Sequence, residues 1–205
     1  FHERFKGKHV ADLNQDEWSA ALDECIDAVF EPLQRYGSPY VRALWRVERI
    51  RAQTRLRRYV LQTIEKDDSR WKPVQFEVGF GRVQPDADTG QDRLQTFELA
   101  TEAGPIKFSG KIDRIDRADG TVRIVDYKSS LTGMTKTKVA SAESLQLPVY
   151  GMAWDSAHED TPCVEASFVQ IGAHKKYDAF TAEAGDWREL ADAVRARICL
   201  LYTSD

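Results

Sequence analysis

The chain has no run approaching the roughly 18 uninterrupted apolar residues that a membrane-spanning helix requires, and it has no secretory signal. A location in the cytoplasm, away from any membrane, is the resulting expectation. It also lacks an initiator methionine, starting at Phe1, which predicts a fragment of something longer. Cysteine is scarce: Cys25, Cys163 and Cys199 are odd in number and far apart. That excludes a disulfide framework or a C-x-x-C metal site and leaves free, small, partly buried thiols. There are no repeats and no low-complexity linker. The net charge is −4, so bulk positive charge for coating nucleic acid is missing. A local basic track is still allowed, because binding depends on where the charge lies.

With 42% hydrophobic and 30% charged residues, the 205-residue chain has the composition of a globular domain. We read it as a single domain over 1–205, with a helical part over 1–70 and a sheet core with flanking helices over 71–205. After the acidic start "NQDEW", Trp18, Leu22, Cys25, Ile26 and Val29 recur at helical spacing. Pro32, Gly37, Ser38 and Pro39 interrupt this pattern, and a second helix is predicted from Pro39 to Ile64. That helix carries Arg42, Arg46, Arg49, Arg51, Arg55, Arg57 and Arg58 against a single Glu48. Such a face suits a phosphate backbone, and equally a solvated surface or one that docks a partner domain.

From Val74 to Ser130 the apolar period changes to two. "VQFEVGFGR", "RLQTFELAT", "IKFSGKIDRID" and "TVRIVDYKS" read as four strands. Helical spacing returns in "AESLQLPVYGMAWDSA", a strand "EASFVQIGA" follows, and a last helix is predicted from Asp186 to Leu201. Helices, a strand meander, a helix and a strand predict an α/β layer fold with helices packed on a central mixed sheet.

The densest charge lies in "KIDRIDRADGTVRIVDYKSS". Asp119-Gly120 between two alternating runs signals a two-residue hairpin turn. That turn sets Ile115 opposite Ile124, Arg117 opposite Val122, Asp116 opposite Arg123 as a salt pair, and Asp113 opposite Asp126. Directly opposed residues have Cβ atoms roughly 4.5–5.5 Å apart, and like charges there destabilise. Lys128 projects from the same strand face as Asp126. The group can be a surface salt network neutralised by Lys128, a carboxyl pair sharing one proton, or hard-oxygen ligands for a divalent cation such as Mg2+. Ile115, Ile124 and Val125 bring the cluster near the core, where unpaired carboxylates are costly; this favours the cation.

"GKIDRID", Asp126 thirteen residues after Asp113, "VDYKSS" and the later "QLPVY" resemble the PD-(D/E)xK nucleases of the RecB/AddB type, the nuclease modules of bacterial helicase–nuclease repair and recombination proteins. The resemblance implies a restriction-endonuclease-like α/β core with an N-terminal helical extension. It implies Asp113, Asp126, His2 and the carbonyl of Tyr127 as ligands of Mg2+ or Mn2+, with Lys128 as the catalytic lysine. Gln146 and Tyr150, four residues apart and so on one helix face, would contact substrate or orient the lysine.

His2 in "FHERF" takes the family's histidine position; His9 sits in too polar a context, and His158 and His174 follow the Gln146/Tyr150 element. Glu77 in "FEVGF" matches an acidic position on the preceding strand, and equally reads as a solvent-facing glutamate. The family's Pro-Asp is Ile112-Asp113 here. Four cysteines hold an iron–sulfur cluster in many AddB-type members; with only Cys199 near the end, no such cluster is expected from these residues.

The implied function is metal-dependent hydrolysis of DNA phosphodiesters by an exonuclease-type module linked to a helicase. Single-stranded DNA would be the substrate, its backbone held by Arg46, Arg49, Arg55 and Arg58 with Lys136 and Lys138 of "TGMTKTK". The alternatives are a catalytically silent DNA-binding or scaffold domain of a helicase complex, and a hydrolase using the two aspartates as acid and base.

Overall fold

The computed structural model describes residues 1–66, 70–81, 93–101, 104–131, 145–171 and 179–183, with positions 192 and 196. Lys136, Lys138, His174, Cys199 and, apart from positions 192 and 196, the helix expected over 186–201 lie outside the described residues.

After a 3-10 turn at His2–Phe5 and another at Val10–Asp12, helix α1 spans Gln15–Arg35 and α2 spans Pro39–Glu65. Both starts follow from local chemistry. The Asn14 side chain accepts from Glu17 N at 2.8 Å, and Asp16 and Glu17 complement the dipole of the first turn. The Ser38 hydroxyl accepts from Val41 N, and Pro39 occupies the first helical position, where no N–H is required. Pro32 does not end α1. It lies in the last turn, where only one internal hydrogen bond is lost to its ring.

The strands are β1 (Lys72–Phe80), β2 (Arg93–Leu94), β3 (Phe97–Thr101), β4 (Gly104–Phe108), β5 (Gly110–Ala118), β6 (Thr121–Lys128), β7 (Cys163–Gln170) and β8 (Ala179–Glu183), with helix α3 at Gln146–Ala157. Six of the strands form one mixed sheet in the order β2-β1-β5-β6-β7-β8. The β6–β7 and β1–β2 pairs are parallel, and β1–β5, β5–β6 and β7–β8 are antiparallel. Two of the expected strands are each divided. "RLQTFELAT" supplies β2 and β3 and "IKFSGKIDRID" supplies β4 and β5, so that β3 and β4 form a separate ribbon. The reason is close backbone approach. A side chain at Gly81 (φ +73°) would meet Phe108 O at 2.3 Å, and one at Gly110 would meet the Phe80 ring at 2.8 Å and the Tyr150 ring at 3.2 Å.

The β5–β6 hairpin forms at the expected turn. Asp119 (φ 47°) and Gly120 (φ 76°) both take the left-handed conformation of a primed turn. The register is Ala118↔Thr121, Arg117↔Val122, Asp116↔Arg123, Ile115↔Ile124 and Arg114↔Val125.

Neighbouring residues of each central strand point to opposite faces, and both faces are covered. Ile124 and Phe168 join Val78, Ile115 and the α3 residues Leu147, Tyr150, Ala153 and Trp154 in one core. Val125 and Val169 pack with Trp18, Leu22, Ile26, Tyr59 and Val60 from α1 and α2 in the other. Each such buried aliphatic or aromatic side chain contributes about 1.5–3 kcal/mol. The N-terminal helices are therefore the second layer of the sandwich. The first half of α2 leaves Tyr40, Leu44, Val47 and Ile50 exposed while Trp45 meets Phe30 of α1. Among the described residues, no helix is long and apolar enough to cross a membrane.

Candidate active site

Two groups of side chains meet at the open end of the hairpin. The first is centred on Asp126, which is 2% exposed at the inner end of β6. Lys128 Nζ lies 2.5 Å from Asp126 Oδ2, and Gln146 Nε2 donates to Asp126 Oδ1 at 2.7 Å. Lys128 Nζ also donates to Gln146 Oε1 at 2.9 Å, and Gln146 Nε2 reaches Tyr150 Oη at 2.9 Å. The first turn of α3 thus carries a side chain that bridges the lysine and the aspartate, with Tyr150 one turn further along. Burial raises the pKa of Asp126; Lys128 opposes that shift and the charge of Asp113 adds to it. Burial likewise pushes the Tyr150 phenol up.

The second group is Asp113, Glu77, His2 and Tyr127, which share one cavity of about 430 Å³. The β5–β6 pairs end at Arg114↔Val125, one short of the expected Asp113–Asp126 pair. Beyond them, Tyr127 N donates to Asp113 Oδ2 at 2.8 Å, so a carboxylate takes the amide where the two strands part. Glu77 and Asp113 fall together between the pairs Phe76↔Arg114 and Val78↔Ile112. Glu77 has φ 55°, a left-handed backbone inside a strand, which costs on the order of 1–3 kcal/mol and concentrates at functional sites. Its carboxylate is paired with Lys111.

Behind this group lies a buried polar network that sequence reasoning missed. Arg114, 2% exposed, donates through Nη1 to Tyr127 Oη at 2.6 Å and Tyr59 Oη at 3.1 Å. Its Nε and Nη2 grip the fully buried Asp116 at 2.6 and 2.7 Å. Arg123 Nε donates to Asp116 Oδ2 at 2.9 Å, which is the expected salt pair in a buried setting. Tyr59 Oη is 3.1 Å from both Tyr127 Oη and His2 Nε2. Burial lowers the pKa of His2, and the positive charge of Arg114 lowers it further. Burial alone would raise Asp116, but Arg114 and Arg123 outweigh it and hold the carboxyl below the usual aspartate value. The sequence signal for this network was an arginine between Asp113 and Ile115 on an otherwise inward-facing strand.

His9 is 1% exposed, and its ring accepts from Ala11 N at 3.1 Å, closing the second 3-10 turn. The arginine-rich face is also less free than its composition suggested. Arg49 Nε donates to Asp27 at 2.6 Å, Arg57 bonds Asp23 at 2.6 Å, and Arg51 pairs with Glu48. Arg42, Arg46 and Arg55 face solvent, and Arg58 is half-buried.

A mixed sheet flanked by helices, with D-x-K on a central strand and an aspartate at the diverging end of its hairpin, is a restriction-endonuclease-like architecture. The chain belongs to the PD-(D/E)XK nuclease superfamily, whose family model matches residues 1–202. It is similar to bacterial proteins named as a subunit of an ATP-dependent helicase/deoxyribonuclease. Identity is 30% over 165 residues with that of Moorella thermoacetica (72% of this chain, 13% of the relative), and 28% over 151 residues with that of Natranaerobius thermophilus (67% and 12%). With that of Bacillus pumilus it is 37% over 87 residues (40% and 7%). The chain therefore spans roughly an eighth or less of the curated relatives it matches.

Among the described residues, no three His, Cys, Asp or Glu side chains are gathered as a metal cluster. The donor chemistry nonetheless suits a hard divalent cation. Asp126 is a buried carboxylate that its lysine only partly compensates, and Asp113 is near enough to raise its pKa further.

Proposed function

We propose that this chain is a Mg2+- or Mn2+-dependent deoxyribonuclease module that hydrolyses phosphodiester bonds, acting in an exonuclease-type role on single-stranded DNA beside a helicase. The observation that carries this reading is the Asp126–Lys128–Gln146 group facing Asp113 at the parting of β5 and β6. The relatives' designation as a helicase/deoxyribonuclease subunit supports DNA as substrate and a helicase as partner.

Asp113 and Asp126 would hold the cation, with the Tyr127 carbonyl and His2 completing the set. Bound there, a divalent ion supplies Lewis-acid polarisation of the phosphoryl group and acidifies a water. Lys128, kept in the site by Gln146 at 2.9 Å, would orient that water or balance the negative charge that develops on the phosphoryl oxygens. Gln146 fixes the lysine relative to Asp126, and Tyr150 fixes Gln146. Glu77, across from Asp113, lies behind the ligands or serves a second ion. Arg46, Arg55, Arg58, Lys136 and Lys138 hold the backbone without reading sequence, whereas Arg49, also expected there, is held by Asp27.

The competing reading is a catalytically silent scaffold of a helicase complex. It gives no role to an ammonium held against a buried aspartate beside a second carboxylate. Incubating labelled single- and double-stranded DNA with Mg2+ or Mn2+ separates the two: the nuclease degrades DNA, and the scaffold leaves it intact.

A further inference from the structure

The cavity that Asp113 borders has two chemically distinct ends. One end is polar, with Asp113, Glu77 and His2. The other is an apolar well walled by Leu22, Ile26 and Phe30 of α1, Leu56 and Val60 of α2, and Phe76 of β1. At about 430 Å³ the cavity as a whole falls within the roughly 300–1,000 Å³ of small-molecule sites. No lysine or arginine is among the described residues that line it. An anionic group inside the well would therefore be unpaired, whereas a flat neutral ring would be well solvated by the walls.

We propose that this well receives one unstacked nucleobase of a DNA strand whose backbone passes Asp113. The inference rests on the nuclease reading and deepens it. Phe30 and Phe76, both only partly buried, offer ring contacts that every base can use, because each base presents a π-face. The hydroxyls of Tyr59 and Tyr127 are already engaged by Arg114. They have little capacity left to read base edges, so the well is selective for an unpaired base and indifferent to its identity. A Watson–Crick pair cannot enter, so preference for single strands or frayed ends follows from the shape of the site.

The test uses a 12-nucleotide single strand with Ca2+ in place of Mg2+, in which one abasic residue, and separately one 2-aminopurine, is moved position by position. The proposal requires one position at which 2-aminopurine fluorescence changes on binding and at which the abasic residue weakens binding by roughly 5- to 150-fold. Ala52→Trp and, independently, Cys25→Phe fill the well from α2 and α1. Each should remove that positional effect while binding the abasic strand as wild type does. Binding that is indifferent to abasic position, or filled variants that bind the intact strand like wild type, would overturn the proposal. Repeating the series in Mg2+ separates it from the nuclease reading. Equal cleavage of intact and abasic strands removes the base well and keeps the nuclease. A positional base effect without any cleavage keeps the well and removes the nuclease.

Discussion

The backbone N–H of Tyr127 donates to Asp113 Oδ2 at 2.8 Å where the hairpin ladder stops. One strand's carboxylate thus replaces the other strand's carbonyl at the point of divergence. That hydrogen bond holds Asp113 near Asp126 despite their like charge; on the proposed function, a divalent ion bound there would relieve the repulsion.

Mg2+ or Mn2+ at about 100 times its dissociation constant should stabilise the protein by about 2.7 kcal/mol, roughly a 5 to 10 °C rise in Tm for a chain of this size. Asp126→Asn should abolish the rise. In metal-free buffer the same variant should melt no lower than wild type, because burial opposes the charge of Asp126. A melting curve of each protein with and without the ion checks both points; an unchanged ion effect in Asp126→Asn would place the cation elsewhere.

Gln146 touches Lys128, Asp126 and Tyr150 at once. Gln146→Ala should lower kcat or metal affinity by roughly 10- to 100-fold with little loss of fold stability, since its side chain is only half-buried. Steady-state rates against metal concentration measure this.

Asp116 is the anchor of two buried arginines. Removing one partner of a buried ion pair costs about 3–5 kcal/mol, so Asp116→Asn should show that loss in urea unfolding at pH 7. The folded carboxyl sits below its ordinary pKa, so the unfolded chain binds the proton more tightly. Its stabilisation is complete above the usual aspartate range and falls as the pH drops through that range toward the lower folded value. The acid limb of stability should therefore be shallower in Asp116→Asn.

The arginines of α2 divide by partner. Arg46→Glu with Arg55→Glu, at exposed positions, should lower the slope of log binding constant against log salt by roughly one per lost phosphate contact. Arg57→Ala, which breaks the bond to Asp23, should instead lower Tm and leave that slope unchanged.

Much of this was legible in the residues because it rests on local rules. An Asp-Gly turn between alternating strands dictated the register of β5 and β6, and the spacing of Gln146 and Tyr150 put them on one helix face. The split of "IKFSGKIDRID" into two strands was not legible. It arises from the approach of Gly81 and Gly110 to chain segments that are distant in sequence. The Arg114–Tyr59–Tyr127 network was hidden for the same reason: Tyr59 and Tyr127 are 68 residues apart and meet only when α2 covers the sheet.

The most direct measurement is digestion of end-labelled single-stranded DNA in Mg2+ or Mn2+ by wild type, Asp126→Ala and Lys128→Ala. The account predicts ion-dependent degradation by wild type, abolished by a chelator, and none by either variant. Degradation that persists in both variants, or wild-type protein that binds the strand and leaves it whole with either ion, would contradict it.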